Sequence, residues 1–221
     1  MRVHGPRHRS GALVLALLGL SLGLTACSSS GSRLSNNRFD SRTGVSASAR
    51  VIPPGAPVPK GGGHYKLGAP YKVSGRWYIP REDPSYDQSG IASWYGSDFH
   101  GRATANGEVF DMGALTAAHP TLPLPSYAYV TNLENGRTVL VRINDRGPYA
   151  NDRVIDLSRE VARQLGSEGQ GLARVRVRYA GRAPMNGDDR HERAYLAAQP
   201  WFGGAQGRRF AEHSGATLRS W

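Results

Sequence analysis

Two runs rich in β-branched and aromatic residues flank an Asn-Gly pair in the middle of this chain. They are Tyr127-Ala-Tyr-Val-Thr-Asn-Leu133 and Thr138-Val-Leu-Val-Arg-Ile143, joined by Glu134-Asn135-Gly136-Arg137. This is the strongest short-range signal for a β-hairpin, because both turn residues tolerate positive φ. Other short runs extend the pattern. Leu67 to Pro80 reads as a second hairpin turning at Ser74-Gly75. Ile91–Tyr95, Leu115–Ala118 and Val154–Leu157 read as single strands. Leu172 to Tyr179 alternates, with Val175, Val177 and Tyr179 on one face and Arg174, Arg176 and Arg178 on the other. The arginine face reads as solvated exterior. Ser158 is placed to N-cap one helix that runs to about Leu165, with Gly166 as its C-cap. The expected fold class is mainly β: a small closed barrel of about six strands and about a hundred residues, with one short helix.

Composition agrees with that class and narrows the partners. Among 221 residues, 28 Gly and 14 Pro suit a loop-rich β domain better than a helical one. Four Trp and ten Tyr fit a carbohydrate-facing groove and an ordinary core equally well. A single cysteine rules out an internal disulfide. The seven histidines are scattered, so neither a metal site nor a cofactor is expected. The balance is basic. Without Arg2, Arg7 and Arg9 the 28 basic side chains fall to 25, against 17 acidic ones. Such a charge suits acidic partners, but no helix-turn-helix, RNP or zinc-finger pattern supports nucleic acid.

The N-terminus reads as an export signal. Basic residues precede an apolar run from Gly11 to Leu24, which is short for a membrane span and suited to a signal-peptide core. The run ends in Leu24-Thr-Ala-Cys27, similar to a bacterial lipobox. Cleavage before Cys27 and acylation of it would anchor the chain to a membrane through its buried CH₂ groups. Ser28 after the cysteine resembles an outer-membrane sorting signal. Residues 27–63 are rich in Ser, Gly and Pro, including Val51-Ile-Pro-Pro-Gly-Ala-Pro-Val-Pro59, and are expected to be a disordered, extended tether. The folded domain is expected over 64–181. A tail of unassigned role follows over 182–221, with a candidate helix at about 189–198.

Two carboxylates sit in loops of small and polar residues. Glu108 lies in Gly101-Arg-Ala-Thr-Ala-Asn-Gly-Glu108, and Asp145 in Val141-Arg-Ile-Asn-Asp145-Arg-Gly-Pro148. Cleavage of a glycosidic bond needs such a pair, one acid to protonate the leaving oxygen and another to steady positive charge on the ring. Asp145 lies between Ile143 and Pro148. Partial desolvation there would raise its pKa and keep it protonated, which makes it the candidate acid. Glu108 is the candidate stabiliser or sugar ligand, with the reverse order of roles left open. Thr104, His119 and Asn144 are candidates to orient the acids or to bind sugar. Arg146 is placed either to pair with Asp145 or to meet a substrate carboxylate.

Five segments in order resemble the RlpA family of septal lipoproteins. They are Gly90-Ile-Ala-Ser-Trp-Tyr-Gly96, Thr104-Ala-Asn-Gly-Glu108, Leu115 to Pro123, Val141 to Pro148, and Arg153-Val-Ile-Asp-Leu-Ser158. The resemblance covers about half the chain and implies a double-psi β-barrel. It also implies lytic transglycosylase activity on peptidoglycan glycan strands, in some members preferring strands stripped of stem peptides. Asp145 matches the single aspartate that related double-psi barrel enzymes use. Cell-division proteins become candidate partners. Many family members carry a C-terminal peptidoglycan-binding repeat domain, for which the 40 residues after Gly181 are too few. The competing expectations are a catalytically inert peptidoglycan-binding division scaffold and an expansin-like wall loosener. The second would ordinarily bring an additional aromatic-faced β domain.

Overall fold

The computed structural model describes residues 48–203 apart from residue 151, together with a short strand pair, β1 (Phe39–Asp40) and β2 (Val45–Ser46). The signal run and Cys27 lie outside the described residues. A two-stranded hairpin follows, β3 (Tyr71–Val73) and β4 (Arg76–Tyr78), which turns at Ser74-Gly75 with both residues at positive φ. Six strands then close a barrel: β5 (Asp87–Trp94), β6 (Thr116–Ala118), β7 (Ser126–Asn132), β8 (Thr138–Asp145), β9 (Arg153–Leu157) and β10 (Leu172–Arg182). Around the barrel their order is β10-β5-β9-β6-β8-β7. Two pairs are parallel, β5 with β9 and β6 with β8, and the other four are antiparallel. Closure removes the exposed sheet edges that would otherwise template aggregation.

Period-two alternation builds the core. In β10, Ala173, Val175 and Val177 are buried, while Arg174, Arg176 and Arg178 stand in solvent as the sequence pattern requires. These valines meet Val130, Val139, Val141, Ile143, Ile155 and Leu157 inside the barrel. Each such side chain contributes about 1.5–3 kcal/mol on burial. Strand β8 differs, because Val139 through Asn144 are buried on both faces. Its outer residues, Leu140, Arg142 and Asn144, are covered by neighbouring elements.

The Asn-Gly hairpin forms, with one change. Only Gly136 takes positive φ, at 72°. Asn135 uses its side chain instead, accepting from the Arg137 N–H at 3.0 Å and donating to the Leu165 carbonyl at 2.9 Å. That donation ties the turn to α1 (Arg159–Leu165). Helix α1 is capped as its sequence demands. Ser158 Oγ accepts from the Val161 N–H at 3.2 Å, and Gly166 closes the helix in the left-handed region.

A second helix, α2 (Arg190–Ala197), comes from the segment after Gly181. Leu196 is fully buried in the main core and Glu192 is almost so. The Pro-rich stretch from Ser48 packs beside the barrel, with a turn at Pro53 to Ala56. Val51 N–H bonds the Gly101 carbonyl at 2.8 Å, and His64 N–H bonds that of Asn106 at 2.8 Å. Near its end it crosses the stretch leading to α2. Lys60 Nζ pairs with Asp189 at 2.8 Å, and a Cβ on Gly61 would lie 2.7 Å from the Asn186 backbone. Gly61 and Gly187 lie against each other at that crossing, leaving no room for a side chain on either.

Candidate active site

Glu108 and Asp145 are brought into one structure, with different environments. Glu108 is buried, 5% exposed, at the base of the Gly101–Phe110 loop. Arg142 Nη2 donates to its Oε1 at 2.6 Å and Arg142 Nε to its Oε2 at 3.1 Å. Asn144 Nδ2 donates to Oε2 at 3.0 Å and Asn106 Nδ2 to Oε1 at 3.1 Å. Burial pushes this carboxyl up, but the Arg142 hydrogen bonds, then that of Asn144, the Arg142 charge and the Asn106 bond outweigh it. The net effect holds Glu108 below its usual range, so it is ionised at neutral pH. Arg142 and Asn144 share a face of β8 because they are two residues apart, which is why one strand supplies both donors.

Asp145 ends β8 where the ladder slips. Ala117 and Ala118 of β6 pair with Ile143 and Asp145, which leaves Asn144 unpaired in a bulge. One carboxylate oxygen of Asp145, Oδ1, accepts from the Ala105 and Arg146 backbone N–H groups, each at 2.8 Å. Burial pushes the Asp145 pKa up to about 6, with the Asp156 charge adding to it. The two backbone N–H groups and the Arg146 charge oppose that rise without cancelling it. A carboxyl poised there exchanges a proton easily near neutrality, as an acid–base catalyst must. No hydrogen bond to Oδ2 is found among the described residues.

Of the remaining sequence candidates, Asn144 holds an acid directly, while Thr104 and His119 bond other groups. Thr104 Oγ1 donates inside its own loop, to Asn106 Oδ1 at 2.8 Å and the Glu108 carbonyl at 3.1 Å, and so shapes the loop from a buried position. His119 is fully buried. Its Nδ1 accepts from the N–H groups of Thr121 and Leu122 at 3.1 and 3.0 Å, which leaves the proton on Nε2, 2.8 Å from the Tyr86 hydroxyl. Both ring nitrogens are therefore engaged within the protein. Burial, helped by the Arg146 charge, lowers its pKa to about 3. Asn144 faces Glu108 with its amide nitrogen, while its buried Oδ1 has no partner among the described residues.

Arg146 follows neither expected course. Its guanidinium does not bond Asp145. It donates to three backbone carbonyls, His119 at 3.1 Å, Leu122 at 2.6 Å and Leu67 at 2.8 Å. It clamps the loops around the acid, and its charge is a minor influence on Asp145. Cys27 lies outside the described residues, and no metal-ligating group of three or more His, Cys, Asp or Glu occurs among those described.

Three neighbours escaped sequence reasoning. Arg142 looks like a solvated strand residue in sequence, and only its two-residue offset from Asn144 hints otherwise. Tyr95 puts a buried hydroxyl near Asp145 and Asp156. Burial first, then those charges, hold its pKa well above the usual value. Asp156 is held by Ser93 Oγ at 2.5 Å and by Arg153 at 3.1 Å.

The six-stranded barrel with two parallel pairs and a desolvated aspartate at a strand end defines a double-psi barrel. Residues 87–177 match the family model described as lytic transglycolase. Curated relatives narrow the class, and over about half of its length this chain is similar to proteins named RlpA. It is 54% identical over 127 residues to the endolytic peptidoglycan transglycosylase RlpA of Pseudomonas aeruginosa, covering 57% of this chain and 37% of that one. Identity to the protein of the same name from Neisseria meningitidis is 50% over 115 residues, 52% of this chain and 48% of the relative. For the Rickettsia bellii protein it is 47% over 120 residues, 53% of each. The chain thus spans between about a third and a half of the length of these relatives.

Proposed function

We propose that this protein is a lytic transglycosylase that cleaves peptidoglycan glycan strands. The observation that carries the reading is Asp145, a desolvated carboxyl held by two backbone N–H groups and poised near pH 6. As an acid it donates its proton to the glycosidic oxygen as the bond to C1 of the muramoyl residue breaks. As the resulting carboxylate it takes the proton from the C6 hydroxyl of that residue, whose oxygen closes on C1. The product is a 1,6-anhydro end, the carboxyl is restored, and no water is consumed. Acid–base catalysis of this kind contributes on the order of 10²–10⁴ in rate.

Glu108 is ionised and neutralised by Arg142, so proton donation falls to Asp145. Glu108 organises the loop whose Ala105 N–H holds Asp145, and its residual field favours positive charge on the ring. Acylation at Cys27 would place the enzyme on the periplasmic side of the outer membrane, where it would remodel the wall between daughter cells together with division proteins. Strands lacking stem peptides are its preferred substrate in this reading.

The test is mass spectrometry of products from intact and amidase-stripped peptidoglycan. Anhydro-ended fragments, one water lighter than hydrolysed ones and absent with Asp145→Asn, are the expected result. Ordinary reducing ends would make it a hydrolase. No fragments, with protein retained on the wall, would make it a binding scaffold.

A further inference from the structure

The β3–β4 hairpin precedes the residues matched by the family model and adds little to the core, since Tyr78 is its one buried residue. It is nonetheless fixed firmly against the loops beside Asp145. Tyr71 donates its hydroxyl to the Pro120 carbonyl at 2.7 Å. Tyr78 stacks on Tyr71 at 5.3 Å and meets the edge of Tyr149 at 5.5 Å. Arg76 pairs with Asp152 at 2.7 Å, and the Arg81 N–H bonds the Thr121 carbonyl at 3.1 Å. Between the hairpin and the loop that follows Asp145 lies a groove of about 210 Å³, lined by Val73, Arg76, Tyr78, Pro120, Pro148 and Tyr149, among others.

We propose that this groove is a binding subsite for one pyranose unit of a β-linked N-acetylhexosamine strand, next to the bond on which Asp145 acts. The inference rests on the functional reading of Asp145 given above. Tyr149 and two prolines offer a small apolar surface to the C–H face of a sugar, and the rest of the lining is mostly polar. The Arg76–Asp152 pair offers planar N–H donors and carboxylate acceptors side by side, which suits adjacent hydroxyls. An anionic ligand fits less well, because Asp152 already balances the Arg76 charge. The volume suits a single ring, not a folded peptide. Pro148 and Tyr149, three and four residues after Asp145, line the groove, so a ring held here belongs to the strand being cleaved. The anchored walls mean that the groove exists before the ligand arrives, which lowers the ordering cost of binding.

The test uses the full chain carrying Asp145→Asn, so that binding is read without turnover, with chitotetraose as the calorimetric probe. Arg76→Ala on that background is expected to weaken binding about tenfold. In the chain with Asp145 intact, Arg76→Ala should raise KM for amidase-stripped strands by about the same factor while kcat stays within about twofold. Trp77→Ala changes the outward face of the same hairpin and should alter neither. Cleavage by the parent with Arg76→Ala indistinguishable from it overturns the subsite and leaves the Asp145 reading standing. A Trp77→Ala defect equal to that of Arg76→Ala also overturns it, since the hairpin would then act other than through the groove. A parent that neither binds nor cleaves overturns the Asp145 reading, and the subsite with it.

Discussion

Ala105 donates its backbone N–H to the carboxylate of Asp145 at 2.8 Å, so the loop that carries Glu108 also holds the second acid. The two acids are thereby coupled through main chain. Glu108 is locked by Arg142, Asn144 and Asn106, and that locked loop sets where Asp145 points.

Asp145→Asn should lower the rate of anhydro-product formation by about 10²–10⁴ without unfolding the barrel. The amide oxygen still accepts from Ala105 and Arg146, and a neutral side chain suits the half-buried, desolvated site better than a carboxylate. Quantitative product analysis beside a thermal melt checks this. Parent-like turnover would exclude Asp145 from the chemistry. The parent should show an ionisation near pH 6 in its pH–rate profile.

Glu108→Gln leaves Arg142 buried without a counter-charge, and Arg142→Met leaves Glu108 with amide donors alone. Breaking one partner of a buried pair costs about 3–5 kcal/mol, so each single variant should be strongly destabilised in urea. The double variant should cost less than the sum of the two. Because the folded pKa of Glu108 is depressed, its contribution is present above its unfolded pKa and is lost as pH falls through the lower folded value. Purely additive costs would show that the pair does not act as a unit.

Glu192 on α2 is buried against the Tyr127 hydroxyl, 3.2 Å from its Oε2, and burial raises its pKa to about 7 from an ordinary 4.5. Tyr127 and Arg142 are direct cross-strand partners, so the Arg142 charge moderates this rise. A raised acid favours the folded state most below its unfolded pKa. That advantage is lost as pH rises from about 4.5 to about 7. Glu192→Gln keeps an acceptor for Tyr127 and cannot ionise. It should flatten the fall in stability across that window and leave the variant more stable than the parent at pH 8. Urea titrations at pH 5 and pH 8 decide it; equal slopes in both proteins would rule out Glu192 as the source.

His119→Ala removes the acceptor of two backbone N–H groups and should cost about 1–3 kcal/mol for each donor left unsatisfied. The residual activity per folded molecule should stay close to that of the parent. In the parent, His119 should show no protonation between pH 5 and pH 8 by imidazole NMR, because its pKa is held at about 3. An imidazole of His119 that titrates near 6.5 would contradict the buried neutral ring.

Much of the fold is legible in the chain because it depends on local chemistry. The Asn135-Gly136 hairpin, the inward valines of β10 and the Ser158 and Gly166 caps each follow from residues a few positions apart. The order of strands does not, because the parallel pairs β5–β9 and β6–β8 join segments far apart in sequence. The acids Glu108 and Asp145 stand out by their loops, but their environments do not. Arg142 resembles Arg174 and Arg176 in sequence, an arginine within an alternating strand. Only the covering loop turns it into the partner of a buried carboxylate. Arg146 misleads for the same reason, since its bonds are spent on the carbonyls of Leu67, His119 and Leu122 brought in by folding, whereas His119 holds the turn just after it and meets the Tyr86 hydroxyl.

The crossing of Lys60-Gly61 over Asn186-Gly187 has a mechanical consequence. Gly63, two residues further on, packs so tightly that a Cβ there would sit 2.8 Å from Glu108 Cγ. Tension on the chain ahead of Lys60 meets the Lys60–Asp189 pair and the glycine crossing before it reaches that contact. A pull on the leading segment loads first the Val51–Gly101 and Ala49–Ala103 bonds at the start of the carboxylate loop, and the crossing shields only the inner contact of Gly63 with Glu108.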